Sequence, residues 1–351
     1  MSGASLAIPD RLRLLRGANN EGVLAVVLLA LIVAMSIANP AFFTLPTAFS
    51  ILRSSIVPLI FALGVLMVII SGGIDVSFAA IAVFAAYTTV RALQSGTPDL
   101  GLIGAFALAL LIGASLGVIN GFLIAKFRLP TLIVTLGTQG IFKGALLTYV
   151  GSRYIADLPA SMAQVSTTNL FEVSTPTGSA YLHILVVPAV LLAIGLAWVL
   201  RSTMFGRSIY AIGGDVEAAR RAGIRVMRTQ VAVYVIAGTM AAAGGMIYVI
   251  MGRSASPQIL VGSELDIIAA VVLGGASIFG GRGSVLGTTL GVILVQVIYN
   301  SLILAGVPSA WQRTAVGVLL IIGVGIQAVA SRRSSRASVI DETYQKQEVP
   351  A

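Results

Sequence analysis

Asp75, Asn120, Thr135, Gln139, Asp266, Gln296 and Asn300 are polar residues set in otherwise apolar stretches of this 351-residue chain. An ionisable group at the centre of a membrane helix costs roughly 2.5–3.5 kcal/mol on insertion scales, so Asp75 and Asp266 call for a purpose. Each lies near a glycine-rich interruption, where a carboxylate can cap the free N–H groups of a helix start or can face a solute; capping is the favoured reading. The neutral residues either hydrogen-bond between helices, their commoner use, or line a polar path for an uncharged, hydroxyl-rich solute. No charged pair or proton relay runs through these stretches, which argues against an ion-coupled transporter.

Other chemistry is excluded by composition. The only lysines are Lys126, Lys143 and Lys346, and none follows a glycine, so the Gly-Lys-Ser/Thr of a phosphate-cradling loop cannot occur. One histidine, His183, and no cysteine leave no transition-metal cluster, and no catalytic triad spacing surrounds His183. Metal and catalytic sites are therefore expected to be absent.

The elements that must position the polar residues are membrane helices. The chain is 57% hydrophobic and 10% charged, against about 25% charged in a soluble domain. Its net charge of +9 sits in short clusters between apolar runs, which is topology rather than a nucleic-acid-binding face. A crossing needs about 20 apolar residues. Charge-free windows run over 22–52, 54–74, 76–90, 100–125, 184–200, 229–252, 267–281, 283–312 and 314–331, and 131–150 holds only Lys143. The expectation is an all-α polytopic bundle of about ten spans with both termini cytoplasmic. This parity leaves only Arg53, Arg91, Arg153, Arg253 and Arg313 outside and puts every other basic residue beyond the spans inside, as the positive-inside rule requires. The first apolar stretch, from Val23 to Ala38, exceeds the roughly 7–15 residues of a signal-peptide core, so it is read as a span. The division is a cytoplasmic tail over 1–20, a membrane domain over 21–330 and a disordered cytoplasmic tail over 331–351. A periplasmic loop over 151–181 and an Arg-rich cytoplasmic loop over 201–228 lie within the domain.

Glycines recur every fourth residue at Gly113, Gly117 and Gly121, at Gly283, Gly287 and Gly291, and at Gly140 and Gly144. That spacing lets helix backbones approach closely, more often within one bundle than between subunits. Two glycine-rich interruptions, Ser71 to Ser77 and Leu273 to Ser284, stand beside the two shortest windows. They are discontinuous helices of an internal repeat or plain turns. In the Arg-rich loop, Asp215 is a helix N-cap and Gly223 a terminator, bounding a short helix fit to dock on a partner or a lipid surface.

Within that loop, Glu217-Ala218-Ala219 with Gly223 beyond it resembles the coupling motif of bacterial ABC importer permeases. Ser71-Gly72-Gly73-Ile74-Asp75-Val76-Ser77, the Leu129 to Thr138 run, Gly206 to Gly223, Glu264 to Gly275 and Gly280 to Thr288 resemble, in order, the ribose/xylose/arabinose-type permeases. The resemblance covers about residues 20–330 and departs at Val76, where many members carry leucine. It implies a transport subunit, not an enzyme, of the bacterial inner membrane. Its expected partners are a second permease copy or paralogue, a periplasmic sugar-binding protein, membrane lipid and a cytoplasmic ATPase that binds ATP and magnesium. The coupling residues it implies are Gly214, Asp215, Glu217, Ala218, Ala219 and Gly223. The expected cargo is a monosaccharide or related polyol; a branched-chain amino-acid permease and an ion-coupled transporter are the alternatives.

Overall fold

The computed structural model describes residues 21–94, 100–175, 178–260 and 262–308, together with 311, 312, 314, 315, 317, 318 and 321. The expected tails over 1–20 and 331–351, and most of the last window, lie outside the described residues.

Helices α1 (Glu21–Ala38), α2 (Leu45–Ile70), α3 (Phe78–Gln94), α4 (Gly101–Phe127) and α5 (Thr131–Ala145) come first, α5 running on into a π turn over Leu146–Val150. A short helix α6 (Ala160–Ser166) and an antiparallel hairpin of β1 (Asn169–Thr175) and β2 (Gly178–His183) follow. Then come α7 (Val186–Ser202), α8 (Met204–Gly214), α9 (Val216–Arg221), α10 (Val226–Gly252), α11 (Glu264–Leu273) and α12 (Val285–Leu304). Six of the described helices are long and apolar enough to cross a bilayer, or seven if α7 and α8, bent by 73°, make one span. The protein is a helical membrane bundle.

Hydropathy alone misplaces some boundaries. The 22–52 window holds two helices, because Asn39 caps a tight turn at Pro40–Phe42 and Thr44 caps α2. Arg53, expected in a loop between spans, lies inside α2, where its long side chain reaches the Tyr181 hydroxyl at 3.1 Å and lies over that ring. A flexible stem carrying its charge toward a polar end explains how the helix accommodates it. Of the 267–281 window only residues 267–273 are helical, as the last part of the ten-residue α11, whose rise of about 15 Å is half the hydrocarbon thickness. Before it, Ala255 pairs with Ile155 in an isolated antiparallel bridge.

From Ile56 to Ile70, α2 is almost wholly buried, as a helix apolar on every side must be. By contrast α1 has 6% of its window buried and rests on α12, its Glu21 accepting from the Ser284 hydroxyl at 2.7 Å. Among the described residues, the most extensive helix contact joins α4 to α10. There the Gly113, Gly117 and Gly121 stripe meets the backbone of α10 from Val231 to Gly238, so this stripe packs within the chain. Gly287 and Gly291 likewise meet the α11 backbone at Gly274 and Ala270, whereas Gly140 and Gly144 face open space.

This difference makes a prediction. A Cβ on Gly117 would come within 2.9 Å of the Val235 Cα, and that contact is backbone and cannot turn aside. Gly117→Ala is expected to cost about 1–3 kcal/mol by overpacking. Gly140→Ala should be neutral or slightly stabilising, since it only removes helical glycine entropy. Thermal midpoints of the two variants in detergent check both; equal midpoints would refute the close-packing account.

Candidate functional site

The polar residues that stand alone in the sequence fall into three places. At the break between α2 and α3, Asp75 accepts from the Ser77 N–H at 2.7 Å and the Ser77 hydroxyl at 2.6 Å. Asn120 of α4 donates to that hydroxyl at 2.8 Å, and Thr135 of α5 donates to the Ile74 carbonyl at 3.2 Å. All of these side chains are buried. Asp75 therefore sits at the start of α3 in the manner of a capping residue, satisfied by the free N–H groups there.

Gln139 belongs elsewhere. It donates to Glu264 at 2.8 Å and, with Lys143, borders a small cleft between α5 and the start of α11.

The third place is a cavity of about 720 Å³ between α2, the end of α10, α11 and α12. Asp266 and Gln296 line it, with Arg53, Ser54, Phe61 and Tyr299. Tyr299 donates to the Asp266 carboxylate at 2.9 Å. Asn300 does not line the cavity but bonds to two residues that do, receiving the Ser50 hydroxyl at 3.5 Å and donating to the Gln296 carbonyl at 2.9 Å. Pro58 has no N–H to give, so the Ser54 carbonyl beside the cavity lacks its i+4 helical donor. Carboxylate, guanidinium, amide, hydroxyl and aromatic faces thus converge on one space, the mixture that a small polar solute needs. Arg53 and Tyr299 escaped the sequence reading: one ends a charge-free window, and the other reads as an ordinary interfacial aromatic.

The second functional element is the Arg-rich loop. Thr203 caps α8, and the helix ends at Asp215, which caps α9 by accepting from the N–H groups of Glu217 and Ala218 at 2.8 and 3.0 Å. Those two donors hold the Asp215 carboxyl below its ordinary value. Glu217 is paired with Arg220 of its own helix at 2.6 Å. Ala219 packs inward on Ile212 and Val226, and Gly223 turns the chain at φ +83°. The helix is held from beneath, with Glu217 and Ala218 exposed above.

At the other end of the bundle His183, the last residue of β2, is buried. Its Nδ1 receives the Leu185 N–H at 3.2 Å and its Nε2 lies 3.3 Å from the Ser166 carbonyl. Only the neutral ring with the proton on Nε2 fits both partners. Burial, assisted by Arg53 and Arg253, holds its pKa below 6.5. Stability is therefore intact above the ordinary histidine value and falls as pH drops below it, because only the unfolded chain then takes up the proton. The thermal midpoint should decline from about pH 7.5 to about pH 5.5, and His183→Gln should flatten that dependence. An unchanged slope in the variant would show that other groups carry it.

A bundle of apolar helices around a polar cavity, with a capped helix presented on a loop at one end, defines a membrane transport protein. The chain belongs to the family described as branched-chain amino acid transport system / permease component, which matches residues 47–324. It is 34% identical over 303 residues to the autoinducer 2 import system permease protein LsrC of Yersinia pseudotuberculosis, serotype O:1b, covering 86% of this chain and 83% of that one. The LsrC protein of Yersinia pestis, strain Pestoides F, matches at the same identity and coverage. No solved structure matches. The protein is thus a multi-pass inner-membrane permease subunit of an importer and not an enzyme.

Proposed function

We propose that this subunit forms the path by which a monosaccharide or related polyol crosses the inner membrane, driven by ATP hydrolysis on a separate ATPase. The observation that carries the cargo class is the cavity, where Asp266, Tyr299, Gln296 and Arg53 offer acceptors and donors beside the Phe61 ring. A hydroxyl-rich solute uses both kinds of partner and stacks its C–H face on an aromatic side chain. In this reading Asp266, Gln296 and Asn300 belong to the path, whereas Asp75, Asn120, Thr135 and Gln139 serve the helices that frame it.

Ten spans and cytoplasmic termini complete the proposal. Contacts at the two ends of α2 support this parity. Arg53 meets Tyr181 of the hairpin, while the Ile70 carbonyl receives the Gly281 N–H at 2.9 Å, near the Arg-rich loop. Those two points are 17 residues apart on one helix, about 25 Å by helical rise. The hairpin is then periplasmic, facing a solute-binding protein, and the Arg-rich loop is cytoplasmic. A second permease copy or paralogue would complete the assembly. In the cytoplasm α9 seats in a cleft of the ATPase through Gly214, Asp215, Glu217, Ala218, Ala219 and Gly223.

Branched-chain amino acids are the competing cargo, because the family description names them. Uptake by vesicles carrying the permease, its ATPase and its binding protein separates the two. Labelled ribose, other pentoses and polyols should compete with one another for import, and leucine should not. ATP-dependent import of leucine alone would overturn the sugar reading.

A further inference from the structure

We propose that Gly72, Gly213 and Gly280, pinned by Tyr210, form a side-chain-free junction that carries movement of α9 to two of the helices walling the cavity. Three chain segments distant in sequence meet there. They are the end of α2, the end of α8 just before the Asp215 cap, and the turn that precedes α12.

Their contact is backbone on backbone. A Cβ on Gly213 would fall on the Ile70 carbonyl oxygen and within 2.6 Å of the Gly281 nitrogen. That nitrogen donates to the Ile70 carbonyl at 2.9 Å, joining the turn before α12 to the end of α2. Gly280, at φ +86°, brings its α-carbon so close that a Cβ would lie 2.8 Å from the Gly72 Cα. The Tyr210 hydroxyl donates to the Gly283 carbonyl at 2.8 Å, fastening α8 to the approach to α12. The turn itself is closed by Ser277 N–H to the Arg282 carbonyl at 3.0 Å and Gly280 N–H to the Ser277 carbonyl at 2.9 Å.

Peptide groups in contact cannot relax by changing rotamer, and close-packed interiors transmit displacement rather than absorb it. The junction grips two of the four helices that wall the cavity: α2 contributes Arg53 and α12 contributes Gln296 and Tyr299. Asp215, the cap of α9, is two residues beyond Gly213. A push on α9 therefore moves α2 and α12 as one body, without passing through the flexible arginines of the loop. Gly213 and Tyr210 are positioning residues that act on the cavity through these helices. This inference rests on α9 being the seat of the ATPase.

The chain has no cysteine, so spin labels can be placed by Met204→Cys and Phe279→Cys. Both residues are exposed and lie outside α9. In the full complex with ATPase and binding protein, the distance between the labels should be narrow and identical with and without ATP. Tyr210→Phe should broaden it and lower uptake about tenfold, a usual size for coupling between sites. The ATPase should still co-purify and still hydrolyse ATP. Gly213→Ala should act in the same direction and more strongly; if it fails to assemble, Tyr210→Phe decides. A label distance that changes with nucleotide, or a Tyr210→Phe permease that imports normally per ATP hydrolysed, overturns the junction. Failure of the docking reading shows separately, as ATPase that co-purifies undiminished with a Gly223 variant while the label distance stays fixed.

Discussion

Substitution of Gly223 by asparagine leaves the permease folded in the membrane and abolishes most uptake. The expectation follows from two facts about this glycine. Its φ of +83° is a conformation that most L-residues resist, and a Cβ there would meet nothing within 4 Å. Asparagine adopts the left-handed region with little strain, so it adds bulk without forcing the turn. Whatever that bulk obstructs must then belong to another chain. Valine adds backbone strain to the same obstruction, roughly 1–2 kcal/mol, and should be worse in both fold and uptake. For a seat in a protein cleft, losing one close contact at the centre costs about 2 kcal/mol, roughly thirty-fold in affinity for the ATPase. Co-purification of ATPase with each variant, set beside membrane-inserted amount, separates seating from folding. An asparagine variant that holds the ATPase and imports as before would remove the docking role from this loop.

The loop itself was readable from sequence because its signals are local. Asp215 as cap and Gly223 as terminator depend on nothing beyond a few neighbouring residues, and α9 runs between them as Val216–Arg221. The long apolar helices were legible for a similar reason, since hydropathy is a property of each segment. Arg53 shows where this fails. A charge marks the end of a window, yet α2 runs through it because the partner that satisfies the charge, Tyr181, is 128 residues away. Likewise α11 is only ten residues long, and no hydropathy window shows that its helix stops at Leu273. The polar residues followed the same division. Their presence in apolar runs was plain, but their sorting into a cap, a small cleft and a cavity is tertiary. Tyr299, which places Asp266 at the cavity, gave no signal of its own.

Asp75 and Asp266 look alike in sequence, each an aspartate near a glycine-rich break, and they should respond oppositely to substitution. Asp75 receives two hydrogen bonds from Ser77 at the start of α3 and is buried, so Asp75→Ala leaves helix donors unsatisfied. Loss of such a cap costs about 1 kcal/mol, and more where the orphaned groups are buried. Its effect should appear as a lower thermal midpoint and less permease in the membrane, with uptake per folded molecule nearly kept. Asp266 lies within the first turn of α11 and turns its carboxylate to Tyr299 at the cavity. Hydrogen bonds to a charged group are worth about 1.5–3 kcal/mol, so a solute that relies on this carboxylate should lose roughly ten- to a hundred-fold in uptake with Asp266→Leu. Asp266→Asn, which keeps the shape and one acceptor, should fall between. Tyr299→Phe removes only the hydroxyl that orients the carboxylate, and should shift the concentration dependence of uptake more than its maximum. ATPase co-purification should be unchanged in all three, because none touches the Arg-rich loop. If Asp266→Leu imports normally while its thermal midpoint falls, the aspartate ties α11 to α12 and the cargo path avoids it.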